Sequence, residues 1–378
     1  MTQNIHCPMI HGGLNINLKN LGNTLTYNQC CLSTTTMSIP ADASVLWYDT
    51  PLQNIRKINN ENIWLDGCRQ CQRIESAGIK SFRQSMIEGL GVEKNLPGPQ
   101  RIDLLFDRSC NLACRTCGSH SSTFWEKHLR DNKLSDSTNY TPVINDNFNT
   151  IKKLLETLDL SNLKQVQFCG GETLMGTTYW KTAQLLADLI PDAKERILLG
   201  FQTNATQPIH EKYYELLEKF KLVKFMISLD GTHDRFEYMR WPANWNQVVD
   251  NIANMREKLP SNVMFFVQET TTCLNLFYFN EVENWVRHNF DTNRFGDRVD
   301  YTTQLVLHEY LDVNIITQEY VDAIKDTNSF QFINLDWQEN PFKIREFIAK
   351  TEQFDHLRGQ DWKKTFPEVA NFYSRYFK

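Results

Sequence analysis

Cys110, Cys114 and Cys117 form a C-x3-C-x2-C pattern within the stretch CNLACRTC. Three thiolates at this spacing can hold three irons of a cubane cluster and leave the fourth iron without a protein ligand. An open metal position lets a site bind and change a small molecule instead of only storing charge. Structural zinc is the competing reading, because zinc closes its shell with four ligands and His120 is the candidate fourth. Five further cysteines, Cys7, Cys30, Cys31, Cys68 and Cys71, precede this stretch, and only Cys169 and Cys273 stand apart. The N-terminal residues MTQNIHCPMIHGG show no basic region followed by an apolar core, so a cytoplasmic location is expected. Disulfides are rare there, and grouped thiols in a reducing compartment read as metal sites. Cys7, one of the pair Cys30 and Cys31, and the Cys68-x2-Cys71 pair make four ligand positions with one thiol to spare. A zinc knuckle drawing on His6 or His11 is the alternative there.

The elements that must position these thiols follow a strand-then-helix rhythm. The apolar pattern predicts strands at 101–106, 164–168, 196–201, 222–229, 262–268 and 302–307. It predicts helices at 121–130, 147–158, 179–189, 210–219, 245–258 and 280–289. Such alternation implies a parallel sheet with right-handed crossovers, and short apolar strands imply cover on both faces. Functional groups in these folds gather at the C-terminal strand ends. The six strands are followed by DRSCNLAC, CGGET, QTNAT, SLDG, ETTTC and HE, all polar or cysteine-bearing. Glu269 and His308 sit at two of these tips, and with Cys273 they are the candidates for contact with substrate. Buried inert thiols are the plainer reading of Cys169 and Cys273, and stabilisation of the SLDG turn that of Asp230.

Ahead of this series, Leu14, Ile16 and Leu18 alternate with polar residues, and LTYNQCCL follows a turn at 20–23, which together predict a hairpin. Residues 33–44 read as a loop and the stretch from Asp49 as a short helix. The CxxC opens another helix, whose free backbone N–H groups favour an anionic thiolate–metal centre. Two prolines and a glycine in VEKNLPGPQ, 92–100, mark a domain boundary. After 310 the pattern turns helical, with a break near 357–361.

Composition narrows the function classes. The 378 residues suffice for two domains, and 41% apolar with 22% charged residues is ordinary for globular protein. A net charge of −5 argues against a nucleic-acid partner, and the nine tryptophans have no basic stripe beside them for base stacking. No apolar run approaches the ~18 residues of a membrane span, so no membrane partner is expected.

These motifs resemble the radical S-adenosylmethionine (SAM) superfamily. The CNLACRTC loop, the Gly170, Gly171, Glu172 segment after the second strand and the six-unit series match it in order and spacing. The resemblance implies a partial (βα)6 TIM-type barrel over 96–310. It implies a [4Fe-4S] cluster on Cys110, Cys114 and Cys117, whose unique iron is chelated by the amino and carboxylate groups of SAM. Gly170 and Gly171 would let the backbone lie along the methionine part, and Glu172 would take its ammonium. Asn204 and Ser228 match positions resembling ribose or carboxylate contacts, and Arg240 is the candidate bidentate partner of the SAM carboxylate. The chain departs from the family at Thr116, usually aromatic, and at Thr173, often proline.

The N-terminal cysteines resemble the auxiliary [4Fe-4S] module called SPASM, or its shortened form, twitch. There a cysteine precedes a hairpin, a second follows it, and a CxxC pair opens a helix. The resemblance implies a small α+β cluster-binding domain over 1–95, ahead of the barrel where most members carry it behind. Its single cluster would use Cys7, Cys30, Cys68 and Cys71, with Cys31 as the alternative to Cys30. A helical C-terminal extension, 311–378, completes this α/β organisation. The implied activity is reductive SAM cleavage and hydrogen abstraction from substrate, with flavodoxin or ferredoxin as electron donor and the auxiliary cluster aiding oxidation or bond formation. A peptide is the expected substrate, and a small sugar, amino-acid or nucleotide-derived metabolite the alternative. A non-catalytic iron–sulfur electron carrier or a zinc-binding module is the reading of another class; it would need neither Gly-Gly-Glu nor the six-unit series.

Overall fold

The computed structural model describes residues 5–18, 24–40, 46–76, 78, 80–134, 148–289, 302–305, 309–333 and 337–377. The chain divides into two compact units that interleave in sequence. One comprises Met1–Ser109, Asn139–Gln202 and Ile209–Lys224; the other comprises Cys110–Thr138, Thr203–Pro208 and Phe225–Lys378.

In the first unit lie β1 (Gly13–Asn17), β2 (Thr24–Asn28), β3 (Met37–Pro40), β4 (Arg101–Leu105), β5 (Gln165–Cys169) and β6 (Leu198–Thr203), the last running to the unit's edge. Their lateral order is β3-β2-β1-β4-β5-β6. The first three strands pair antiparallel, whereas β1–β4, β4–β5 and β5–β6 are parallel, so the sheet is mostly parallel, as the rhythm of the sequence implies. Two features differ from expectation. Residues 33–44 do not form only a loop: Met37–Pro40 is a strand, because Met37 and Ile39 alternate into the core and pair with Tyr27 and Leu25. The hairpin also does not stand apart, since β1 aligns residue for residue with β4, Gly13 beside Arg101 through Asn17 beside Leu105. The stretch 92–100 is held to what precedes it, with Gln100 N–H donating to Gly12 C=O at 2.7 Å and the Trp47 indole to Leu96 C=O at 2.9 Å. The turn at 20–23 lies outside the described residues.

One face of these strands is apolar. Ile102, Leu104 and Phe106 are buried, and the Phe106 ring lies 4.8 Å from Tyr179 and 5.9 Å from Phe168. The opposite face carries a register row of Asn15, Asp103 and Gln167, all buried. Both faces are therefore covered at these positions, one by apolar and the other by polar side chains, in period-two alternation.

The second unit contains most of β7 (Leu222–Ser228), then β8 (Val263–Thr271) and β9 (Thr302–Leu305), neighbours in that order, with β8 and β9 parallel. The expected helices appear at Thr123–Asp131, Trp245–Lys258 and Phe279–Asn289. C-terminal helices run Pro341–Arg358, Trp362–Thr365 and Pro367–Phe372. Gly359, at φ +63°, supplies the left-handed residue that ends the first of them. Tyr320, Phe347, Trp362 and Tyr373 form the core they share with Cys273 and Leu274. No helix among the described residues is long and apolar enough to cross a membrane.

Candidate functional site

The loop that carries Cys110, Cys114 and Cys117 is fixed along its backbone within the second unit. Ala113 N–H donates to Trp241 C=O at 2.8 Å and Arg115 N–H to Met239 C=O at 2.7 Å, so the loop runs alongside residues 239–241. Ser122 both caps the following helix, through Trp125 N–H at 3.1 Å, and donates to Leu112 C=O at 2.5 Å. The Trp125 indole N–H donates to Cys114 C=O at 2.7 Å. These bonds place Arg240 and Asn204 beside the thiols. Arg240 Nη1 lies 3.9 Å from Cys114 Sγ, and Asn204 Nδ2 lies 3.9 Å from Cys110 Sγ. Burial pushes the Cys114 thiol well up, an effect the Arg240 guanidinium opposes. Two of the three sulfurs thus meet N–H donors, which suits thiolate ligands of an iron–sulfur cluster.

Asn204 is further held by Asn111, at 3.1 Å to its Oδ1, and accepts from Thr206 N–H at 2.9 Å. Arg240 is ion-paired, with Nη2 2.9 Å from Asp230 Oδ2. Asp230 does more than brace its own turn, because its Oδ1 accepts from Thr270 N–H at 2.7 Å and so ties the end of β7 to β8. Glu269 is buried beside this pair and accepts from Asn275 Nδ2 at 3.0 Å, while its Oε2 has no hydrogen-bond partner. Burial, with the Asp230 charge added, holds its carboxyl far above the usual range. Ser228 is buried as the last residue of β7. Cys273 is not with these groups: its N–H donates to Leu311 C=O at 3.3 Å, and it is fully buried in the apolar core around Tyr320 and Tyr373. His308 lies outside the described residues.

The Gly-Gly-Glu segment belongs to the first unit. Glu172 N–H donates to Ser109 C=O at 2.7 Å and Gly171 N–H to Asp107 C=O at 3.2 Å. A Cβ on Gly171 would stand 2.1 Å from the Ser109 oxygen, and Gly170 has φ +140°, open in practice to glycine alone. Glu172 is buried, with Oε1 accepting from Leu174 N–H at 3.0 Å. Thr173, in place of proline, donates to Gln202 C=O at 2.9 Å, a bond proline cannot make. Cys169 ends β5, and its C=O accepts from the Tyr179 hydroxyl at 3.0 Å.

Cys7, Cys30, Cys68 and Cys71 line one cavity of the first unit, together with Met9, Ile10, Leu65, Phe82 and Arg83. Cys31, His6 and His11 are not among its lining residues. The charges acting most on Cys31 are those of Asp103 and Arg101, and His6 is engaged by Asn59 C=O at 3.0 Å and Lys94 Nζ at 3.2 Å. Burial, with the neighbouring thiols adding to it, pushes the Cys7 thiol up to about 12 and Cys68 to about 11. Arg83 is the one cation on the cavity wall among the described residues, and it is paired within the fold to Glu75 through Nε at 2.8 Å and Nη2 at 2.6 Å. A four-thiol donor set in a largely apolar cavity is what a thiolate-ligated cluster requires. Among the described residues, no three His, Cys, Asp or Glu side chains converge on a single-ion site.

Sequence reasoning missed Arg115, Trp125, Trp241 and Arg358, which surround the loop of Cys110. Arg115 is ion-paired with Asp355, and the Arg358 guanidinium lies 4.6 Å from the Trp125 ring and 5.0 Å from the Trp241 ring. No local pattern marks them.

Comparison with known proteins agrees with the loop and strand motifs. The Radical SAM superfamily model matches residues 104–273, under half of the chain. No functionally curated protein matches the sequence. Among solved structures, native anSMEcpe with bound AdoMet is 18% identical over 69% of this chain and 62% of that one, with TM-score 0.37. Streptococcus suis SuiB bound to S-adenosylmethionine is 14% identical over 91% and 69%, with TM-score 0.38. SuiB bound to its precursor peptide SuiA is 13% identical over 94% and 74%, with TM-score 0.37. The chain therefore spans less than two thirds of the length of anSMEcpe.

Proposed function

We propose that the protein is a radical SAM enzyme with a second, auxiliary iron–sulfur centre and a peptide substrate. The observation that carries the reading is the loop of Cys110, Cys114 and Cys117, pinned by backbone bonds with N–H donors aimed at two of its sulfurs, inside the segment that matches the superfamily. These three residues would hold a [4Fe-4S] cluster, and Cys7, Cys30, Cys68 and Cys71 the auxiliary [4Fe-4S] cluster. When bound, the first cluster and SAM supply a 5′-deoxyadenosyl radical that takes hydrogen from a substrate C–H.

The chain's own residues bind and orient. Gly170 and Gly171 bring backbone within reach of the methionine part of SAM, and Glu172 offers a carboxylate to its ammonium. Arg240, held by Asp230, directs one N–H toward Cys114 and keeps a buried Nε free for an acceptor. Asn204 and Ser228 supply polar contacts for ribose or carboxylate. Glu269, whose carboxyl burial holds above its ordinary range, offers a buried hydrogen-bonding group near the strand tips. Segment 1–95 would serve the auxiliary cluster and 96–310 SAM, with 311–378 as a helical C-terminal extension. The peptide reading is supported by β3, which ends the strand order of the first unit and, among the described residues, pairs with β2 alone, offering an edge that an extended chain can extend. Electrons would come from a flavodoxin or ferredoxin.

Anaerobic reconstitution tests the reading. Protein with dithionite and SAM should release 5′-deoxyadenosine, and Cys114→Ala should abolish release. Iron should number about eight per chain, falling to about four in Cys68→Ser/Cys71→Ser. No 5′-deoxyadenosine from wild type, or full release from Cys114→Ala, refutes the enzyme; about four irons in wild type removes the auxiliary centre.

A further inference from the structure

Arg358 ends the long C-terminal helix Pro341–Arg358, and its side chain turns inward, leaving the residue only 9% exposed. A buried guanidinium ordinarily meets a carboxylate. The nearest acid along its helix, Asp355, is already occupied. Its Oδ1 accepts from Arg115 and from the Tyr238 hydroxyl at 2.7 Å, and its Oδ2 from Trp362 N–H at 2.7 Å. Arg358 has only the His128 ring nitrogen, 3.5 Å from its Nε, and both terminal nitrogens have no hydrogen-bond partner. His128 brings no negative charge in either of its protonation states.

What Arg358 does touch is aromatic. Its guanidinium stands over Trp125 at 4.6 Å, Trp241 at 5.0 Å and Phe354 at 5.4 Å. Two of these rings are the clamps of the cysteine loop. Trp125 donates to Cys114 C=O, and Trp241 C=O receives Ala113 N–H. The charge therefore packs on the side chains of the two residues that bond the loop at Ala113 N–H and Cys114 C=O. Of the three arginines around the loop, Arg240 has Asp230 and Arg115 has Asp355; Arg358 has no acid among the described residues.

We propose that Arg358 is a positioning residue whose counter-charge is the thiolate-bound cluster held through Cys114, so that it favours uptake of the electron that the cluster must receive. This rests on the function proposed above. Adding one electron to the cluster adds one negative charge, and a fixed cation in a low-dielectric surrounding stabilises the reduced form over the oxidised one. The electron comes from the external donor, and no bond at Arg358 changes.

The test is a potentiometric titration of reconstituted holoprotein, following the electron paramagnetic resonance signal that SAM perturbs, in wild type, Arg358→Gln and Arg358→Lys. At the wild-type midpoint, Arg358→Gln should show a reduced-to-oxidised ratio about tenfold lower, a shift of about 59 mV to more negative potential for a one-electron couple. Arg358→Lys keeps the charge and should stay near wild type. Loss of iron to a chelator from the oxidised protein provides a second readout if Arg358→Gln loads poorly: about tenfold faster in Gln, near wild type in Lys. Equal midpoints in wild type and Gln, or equal shifts in Gln and Lys, overturn the proposal. A wild type with no SAM-sensitive signal instead overturns the reading beneath it.

Discussion

Gly171→Ala isolates the requirement for close backbone approach at the Gly-Gly-Glu turn. The new Cβ would sit 2.1 Å from the Ser109 carbonyl oxygen, and ordinary contact begins at 3.4 Å, so the two backbones must part by about 1.3 Å. That movement stretches Glu172 N–H to Ser109 C=O from 2.7 Å and Gly171 N–H to Asp107 C=O from 3.2 Å beyond bonding range. Two lost hydrogen bonds cost about 1 kcal/mol each and residual overpacking about 1–3 kcal/mol, giving about 3–5 kcal/mol. Gly200→Ala is the matched control. Its Cβ would also meet an oxygen at 2.1 Å, but that atom is Gln167 Oε1, at the end of a side chain able to rotate away with the loss of one 3.2 Å bond to Phe168 C=O. About 1–2 kcal/mol is expected there. Urea midpoints of the metal-free protein, read by tryptophan fluorescence and circular dichroism, should fall further for Gly171→Ala than for Gly200→Ala. Equal midpoints in the two variants, or a wild-type midpoint in Gly171→Ala, would refute the reasoning that backbone contact at Ser109 demands glycine.

Two further outcomes follow from buried carboxylates. Glu269 has a folded-state pKa raised far above its ordinary value by burial and by Asp230, so the unfolded chain gives up this proton first and stability falls as pH rises above about 4.5, at about 1.4 kcal/mol per unit. Glu269→Gln should remove that slope and melt higher than wild type at pH 8 but not at pH 4; a parallel pH profile in both proteins would show that Glu269 is ionised. Glu75 is the opposite case: burial would raise its pKa, but hydrogen bonds from Arg83 and Ser81 outweigh this and lower it. Its contribution is present above about pH 4.5 and lost as pH falls through the lower folded value, so Glu75→Gln should destabilise by about 3 kcal/mol at pH 7 and by much less at pH 3, measured as urea midpoints.

The strand–helix series was legible because it rests on local apolar periodicity. All six expected strands occur at their places, within a few residues at each end, and the C-terminal break falls at Gly359. Partner choice was not legible. Nothing local to Gly13–Asn17 says that it will pair with Arg101–Leu105 across some ninety residues of chain. Met37–Pro40 was too short, within a run of Ser and Thr, for its alternation to stand out. The same distinction separates Cys30 from Cys31. The two follow β2 in a turn closed by Ser33 N–H on Cys30 C=O, where no strand or helix period says which thiol faces inward; Cys30 lines the cavity and Cys31 does not.

Ligands and counter-charges differ in the same way. A candidate ligand set is written in residue type and spacing, and CNLACRTC offers one within eight residues. The charges around that loop are placed by the fold: Arg115 reaches Asp355 across 240 positions, and Arg358 reaches Trp125 and Trp241 from the far end of the chain. The sequence presents 311–378 as a helical extension of the barrel. Yet Asp355, Arg358 and Gln360, which bonds Arg115 at 2.8 Å, are where that extension meets the cysteine loop. Asp355→Ala would keep every cysteine, the Gly-Gly-Glu segment and the helix that covers Arg115, and it would leave Arg115 buried with no acid to answer it. Removing one partner of a buried pair costs about 3–5 kcal/mol, so the loop's order, and with it any cluster it holds, depends on residues that carry no ligand at all.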